Sequence, residues 1–352
     1  MPKRIRTIDG VELYDLIKSR DNVALALKNA CKDHAHDPAV IRIKENPEPY
    51  IDAVCEILEN GEFHYSNFKF KVIFERGKWR HLCFTRTFPD RIIQHAVFQI
   101  VEPILLGTCI RDTYAAIKGK GLHKGVVQIR KDMEDDPEGT QYCLKIDIRH
   151  YFDNIDRNVL FGMIKRKIKD PRTLEILRRI IFECPGEKGL PIGLFSSQIL
   201  SAFYLSGFDH YCKEKLGVPH YYRYADDIVL LYRNPAQLRR YLLFMRRYLT
   251  ELGLEVKPNW QIFPVSSRGV DFMGYVFRHT HVRIRKRNKI NYIRSCNRIL
   301  HCLRHDEPIT PTMIRSKSSY EGMLGWCDSR HLVEVHTGRV DLALEFGLEA
   351  IA

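Results

Sequence analysis

The chain has 352 residues, too many for one small core and enough for two or three subdomains. Its 56 lysines and arginines against 43 aspartates and glutamates leave a net charge of +13, a surplus that favours a polyanionic partner such as a nucleic acid. Ten cysteines without one CxxC pair speak against zinc ribbons, and no apolar run follows the basic start Met1-Pro-Lys-Arg-Ile-Arg6, so a reduced, cytoplasmic protein without a disulfide framework is expected.

In chain order, the first third reads as helices with polar joints. Tyr50 to Leu58 is an amphipathic helix closed by Asn60-Gly61. Phe68 to Phe74 alternates apolar and basic residues as a half-buried strand does, with Glu75-Arg76-Gly77-Lys78 as its turn. Pro89-Asp90-Arg91 opens a long apolar helix to about Leu106. Gln94, His95, Gln99 and Glu102 interrupt it well short of the roughly 18 apolar residues of a membrane span.

From Gln141 the pattern sharpens. Tyr142 to Ile148 is a buried-strand run carrying one acid, Asp147, near its end. Ser197 to Leu216 reads as a helix with a serine cap and Gly217 behind it. Tyr221 to Tyr224 and Ile228 to Tyr232 are β-rich runs joined tightly at Ala225-Asp226-Asp227. Leu238, Tyr241, Leu242, Met245, Leu249 and Leu252 follow a helical period with four arginines off the stripe, and Gly253 ends it. Phe272 to Phe277 is a further strand or hairpin. The order strand, helix, hairpin, helix, strand suits an antiparallel sheet with helices on one face, an α+β plan.

After about Val282 the chain becomes basic and helical, with Arg283, Arg285, Lys286, Arg287, Lys289, Arg294, Arg298 and Arg304 close together. A separate helical module is expected there, its one-sided charge favouring contact with nucleic acid over a merely solvated helix face. Within it Cys296, His301, Cys302 and His305 fall on different faces of the helix, as reduced helix residues rather than a zinc set.

Two acids at a hairpin tip between apolar strands are costly, because adjacent carboxylates repel and each pKa rises. A divalent cation removes that penalty. Asp147, on a neighbouring strand, completes with Asp226 and Asp227 a set able to hold two Mg²⁺ ions, with Mn²⁺ as the alternative and the Ile148 carbonyl assisting. Such a pair activates a 3′-hydroxyl and stabilises departing pyrophosphate. The plain alternative is a solvent-exposed turn, where aspartate is common.

These residues resemble a known family. Tyr224-Ala225-Asp226-Asp227 looks like the YxDD box of reverse transcriptases, and Asp147-Ile-Arg-His-Tyr-Phe-Asp-Asn-Ile155 is similar to their first palm motif. The resemblance implies a right-hand polymerase with fingers, an antiparallel-sheet palm carrying the YxDD hairpin, and a helical thumb. It covers about residues 60 to 330. It divides the chain into an N-terminal extension and fingers (1–140), palm (141–158), a helical insertion (159–190), palm (191–281) and thumb (282–352). It also implies that Phe152 is the steric gate against a ribose 2′-hydroxyl, the alternative being a buried core ring. Trp79-Arg80-His81-Leu82 with Pro89 to His95 is similar to the fingers segment over the incoming nucleotide. Arg80 then holds triphosphate oxygens, and Arg91 ties fingers to palm. Where Thr113 to His123 resembles the next segment, Ile117 replaces the usual arginine, so template contact falls to Lys118 and Lys120. Tyr224 and Ala225 face the nucleic acid. Met273, Gly274 and Tyr275 match the primer-grip hairpin, and Arg285, Lys286 and Arg287 the start of the thumb.

Gly189-Leu-Pro-Ile-Gly-Leu-Phe-Ser-Ser-Gln198 departs from most of the family, with Ile192 where a glutamine usually stands. This pattern looks like the reverse transcriptases of diversity-generating retroelements, and Lys257-Pro-Asn-Trp-Gln261 agrees, with Trp260 where many relatives keep a lysine. That branch copies a template RNA, misinserts opposite adenines and works with a small basic helical partner that oligomerises. Ile192, Gly193 and Gln198 then line the nucleotide pocket, and an apolar group at Ile192 removes a polar anchor for the substrate. Loss of the lysine removes a general acid for pyrophosphate.

The expected partners are template RNA, primer, RNA/cDNA duplex and dNTPs, with no membrane, in a bacterial cytoplasm, the gene being bacterial or phage-borne. A defence-associated or retron-like reverse transcriptase is the near alternative. A non-catalytic RNA-binding protein on a polymerase scaffold is the distant one, against which the intact Asp147, Asp226 and Asp227 argue. A nucleotide cyclase would need a Gly-Gly-acidic-Glu-Phe turn that the chain lacks. About 70 residues follow Val282, room for a thumb without an RNase H or endonuclease domain.

Overall fold

The computed structural model describes residues 4–32, 36–75 and 77–346; Arg76 of the expected turn and Met1 to Lys3 of the basic start lie outside them. The chain forms two compact units, one of Met1–Ile117, Ile148–Gly217 and Leu243–Lys257, the other of Lys118–Asp147, Val218–Leu242 and Pro258–Ala352.

The first unit is built around the helix Ile92–Leu106, whose Ile92, Ile93, Ala96, Val97, Phe98, Val101 and Leu105 are fully buried. Helices Leu13–Lys18, Arg20–Ala30 and Phe195–Tyr204 pack on it. The apolar helix begins three residues beyond Pro89, behind the wide π-type turn Thr87–Arg91. In that turn Asp90 is buried and accepts both the backbone N–H and the hydroxyl of Ser66. The expected helix around Tyr50 to Leu58 runs Glu48–Asn60, and Gly61 closes it at φ +67°, a left-handed conformation that glycine adopts without penalty.

Two expectations are corrected here. The hairpin Phe68–Glu75 with Lys78–Thr85 pairs in antiparallel register, but its apolar side chains are not half-buried. Phe70, Phe74 and Trp79 are 67%, 62% and 69% exposed, because a ribbon of two strands has no second layer of its own to cover a face. The helix expected from Ser197 starts at Phe195, with Leu194 as its cap residue and no side-chain cap. Ser196 and Ser197 lie buried in its first turn, and the run divides into Phe195–Tyr204, Ser206–His210 and the π-type turn Tyr211–Lys215.

The second unit holds a four-stranded antiparallel sheet in the order His220–Tyr224, Asp227–Tyr232, Tyr142–Asp147, Gln261–Pro264. Cys143, Leu144, Ile146 and Ile228 to Leu231 are all buried, the continuous apolar signature read from the sequence. A second sheet joins Val270–Phe272, Tyr275–Phe277 and Val282–Ile284. The stretch after Val282 therefore opens as a strand, and the basic helix starts only at Lys286. Helices Lys286–Arg304, Pro311–Leu324 and Arg330–Phe346 share a core of Tyr292, Cys296, Ile299, Leu300, Leu324, Val340 and Ala343, where Cys296 is an apolar packing residue. Helix Pro235–Glu251, whose residues to Leu242 belong to the second unit and from Leu243 to the first, buries Leu238, Tyr241, Leu242, Met245 and Leu249, and Gly253 follows it at φ +74°. Among the described residues no helix is long and apolar enough to cross a membrane. The chain is an α+β protein with antiparallel sheets.

Candidate active site

The paired strands put the acids together. Strand Tyr142–Asp147 runs antiparallel to Asp227–Tyr232 with Asp147 directly opposite Asp227. Tyr224 pairs with Asp227 across a two-residue turn of Ala225 and Asp226. Ala225 sits at φ +54°, a left-handed conformation whose twist suits a tight hairpin and which costs a residue with a Cβ about 1 kcal/mol. The fully buried Arg223 holds the turn by donating to the Ala225 carbonyl at 3.1 Å. Tyr224 and Ala225 are partly exposed.

The electrostatics follow from that crowding. Burial first, then the neighbouring Asp147 and Asp226, raise the Asp227 carboxyl to about 6, while the Lys145 ammonium pulls the other way. Lys145 Nζ lies 3.5 Å from Asp227 Oδ2. The other oxygen, Oδ1, is buried and has no hydrogen-bond partner among the described residues. No three acidic, histidine or cysteine side chains there converge into a ready-made cage. Even so, an orphaned carboxylate oxygen beside two further carboxylates is a donor set that fits a hard divalent cation with oxygen ligands. Ile148, whose carbonyl was the fourth expected ligand, is fully buried and bridges antiparallel to Val256.

The expected nucleotide residues lie in the first unit. The loop at 189–193 is locked by backbone geometry. Leu190 N–H reaches the Phe152 carbonyl at 2.8 Å, and Cys83 N–H reaches the Ile192 carbonyl at 2.7 Å. Gly193, at φ +113°, has room for no side chain, since a Cβ would stand 2.5 Å from the Cys83 carbonyl oxygen. This loop thus joins Phe152, Ile192 and the Arg80 strand. Phe152 is partly exposed, unlike its neighbour Tyr151, which is buried with its hydroxyl on the Ser201 carbonyl. Ile192 is partly exposed; Gly193 and Gln198 are exposed and line a cleft of about 360 Å³ with Arg91 and Gln94. Arg80, the expected triphosphate ligand, is paired with Glu75 at 3.1 Å.

The expected nucleic-acid residues form two further groups. Lys118 is exposed and Lys120 partly so, flanking Gly119 at φ +74°. Met273 and Gly274, at φ +49° and +86°, form the two-residue turn of the second sheet. The Gly274 carbonyl accepts from the Arg285 N–H at 2.9 Å. Tyr275 is buried, its hydroxyl on the Met323 carbonyl. Lys286 and Arg287 are exposed, whereas Arg285 bonds Asp271 through Nε at 2.6 Å.

Sequence reasoning missed two residues. Lys145 alternates with Asp147 along one strand, so the pleat alone places it on the acids' face. Arg223 gave no signal beyond being a cation inside an apolar strand.

The chain is similar to several known proteins. Residues 68–277 match the family model described as reverse transcriptase (RNA-dependent DNA polymerase). The group II intron-encoded protein LtrA of Lactococcus lactis is 27% identical over 174 residues, 47% of this chain and 28% of that protein. Protein YkfC of Escherichia coli is 26% identical over 136 residues, 36% of this chain and 35% of its own length. The chain thus spans about a third or less of the curated relatives it matches. Among solved structures, telomerase from Candida albicans, in complex with a fragment of telomeric RNA, aligns with a TM-score of 0.49 at 11% identity, over 80% of this chain and 58% of that one.

Proposed function

The chain belongs to the reverse transcriptase family, and we propose that it is an RNA-directed DNA polymerase that extends a primer on template RNA. The observation that carries the reading is the register of Asp147 opposite Asp227, with a buried, partnerless oxygen on Asp227. Asp147, Asp226 and Asp227, with the Ile148 carbonyl, would hold Mg²⁺ or Mn²⁺. When bound, such ions would supply the positive charge that activates a primer 3′-hydroxyl and stabilises departing pyrophosphate. Arg80, once it exchanges Glu75 for a triphosphate, orients the dNTP through its forked donors. Phe152 packs under the sugar and rejects a 2′-hydroxyl. Lys118, Lys120, Tyr224, Ala225 and the Met273-Gly274-Tyr275 turn guide template and primer, and Arg285, Lys286 and Arg287 lead the thumb onto the RNA/cDNA duplex.

The assay is primer extension on RNA with each dNTP supplied singly. The unmodified chain is expected to incorporate, and an Asp226→Asn, Asp227→Asn variant to lose at least about a thousandfold in rate. A double variant as active as the parent refutes the reading.

Within the family we place the chain with the diversity-generating retroelements, acting in a bacterial cytoplasm with a small basic helical partner. Ile192, Ser197-Gln198 and Trp260 support this. Ile192 cannot hydrogen-bond a substrate as glutamine does, so orientation is less constrained and errors opposite template adenines rise. An Ile192→Gln variant should therefore copy adenine-rich RNA more faithfully, and unchanged misinsertion would overturn the assignment.

A further inference from the structure

A cleft of about 510 Å³ opens beside the acids, lined by Lys145, Asp147, Asp227, Gln261, Arg268 and Asp271 among others. Lys145 stands in it between two different sheets. Its ammonium lies 3.5 Å from Asp227 Oδ2 and donates at 2.5 Å to the backbone carbonyl of Asp271, on the strand Val270–Phe272. The Asp271 carboxylate in turn accepts Arg285 Nε at 2.6 Å, and the Arg285 N–H closes on the Gly274 carbonyl at 2.9 Å. One lysine thereby connects an acid of the cation site to the Met273-Gly274 turn, through residues 126 positions apart in sequence. The strand ladder does not require an ammonium here, and the side chains of Lys145 and Asp227 are only 28% and 29% exposed. Holding a long, flexible ammonium in one partly buried place costs side-chain entropy that its two contacts must offset.

We propose that Lys145 is a positioning residue: it clips the 270–277 hairpin to the acid site and serves as the built-in counter-charge that a divalent cation on Asp227 displaces. A cation and an ammonium sharing one carboxylate repel each other. At this degree of burial that repulsion weakens cation binding by about tenfold. The ammonium keeps its second anchor, the Asp271 carbonyl, so loading Asp227 transfers Lys145 wholly to the hairpin. Cation occupancy and the seating of the Met273-Gly274 turn are thereby coupled. A residue that merely stabilised the fold would have the opposite effect on metal, since losing it would weaken binding.

The test uses the full chain and two readouts. The first is Mn²⁺ affinity by paramagnetic resonance at pH 8 without nucleotides, scored as the site lost in Asp227→Asn; it needs no catalysis. The second is the KM for primer against the KM for dNTP, and only this arm rests on the polymerase reading. Lys145→Met should bind Mn²⁺ about tenfold more tightly and raise the primer KM at least about fivefold, with the dNTP KM within about twofold of the parent. Lys145→Gln keeps a donor for Asp271 without the charge. It should show the tighter Mn²⁺ site with a nearly normal primer KM, and it keeps the test open if the methionine variant folds poorly. Lys145→Arg should behave as the parent in both. Unchanged or weaker Mn²⁺ binding in the glutamine variant overturns the counter-charge, and an unchanged primer KM in a folded methionine variant overturns the clip. Asp227-dependent Mn²⁺ binding in a chain that extends no primer would sink the polymerase reading while leaving the counter-charge standing.

Discussion

Substituting Asp227→Asn should stabilise the cation-free protein, although it destroys the proposed site. Burial raises this carboxyl to about 6 in the folded chain, with Asp147 and Asp226 adding to it and Lys145 opposing. In the unfolded chain an aspartate titrates near 3.9. Between those values the folded state binds the extra proton, so the contribution of Asp227 to stability is greatest below about pH 4 and falls as pH rises to about 6. A gap of about two pKa units, at 1.36 kcal/mol each, comes to about 3 kcal/mol lost by pH 7, an upper figure because solvent reaches part of the side chain. Asparagine carries no charge to desolvate. Chemical denaturation in EDTA from pH 4 to pH 8 is the measurement. The parent should lose stability across that window relative to Asp227→Asn, and added Mg²⁺ should restore it in the parent alone. Parallel pH profiles for the two proteins in EDTA would refute the reasoning, since Asp227 would then carry no burial penalty.

Three other substitutions test separate parts of the structure. Gly193→Ala places a Cβ 2.5 Å from the Cys83 carbonyl oxygen at φ +113°, so it should cost at least about 2 kcal/mol, read by denaturant titration. Lys286→Ala and Arg287→Ala remove exposed cations from the start of the basic helix. Each should lower the slope of log affinity against log salt for an RNA/DNA duplex by about 0.9 if it meets a phosphate, measured by fluorescence anisotropy. Phe152→Ala, at a partly exposed ring, should raise ribonucleotide incorporation relative to dNTP by at least about tenfold in single-nucleotide extension, with little change in melting temperature.

Much of this protein was legible from residue order alone. The strand around Asp147, the hairpin around Asp226-Asp227 and the helix stripe from Leu238 to Leu249 depend on periodicities of two and 3.6, which are local properties of the backbone. The acid motifs are short for the same reason. What sequence could not supply was register and partnership across long separations. Asp147 stands opposite Asp227 rather than Asp226 because the ladder runs from Tyr142 against Tyr232, and a slip of one residue would turn Asp147 and Lys145 to the other face. Arg80 was expected on triphosphate oxygens, and nothing local in the sequence showed its ion pair with Glu75. The serines before Gln198 read as a cap, yet they are buried in the first turn, because the locked Gly193 loop starts the helix at Phe195. Phe70 and Phe74 read as half-buried, yet among the described residues their two-stranded ribbon has no layer over that face and they stay exposed. Lys145 shows the division most plainly: alternation on one strand placed it on the acids' face, but its second partner, Asp271, was decided by the meeting of two sheets that no local pattern encodes.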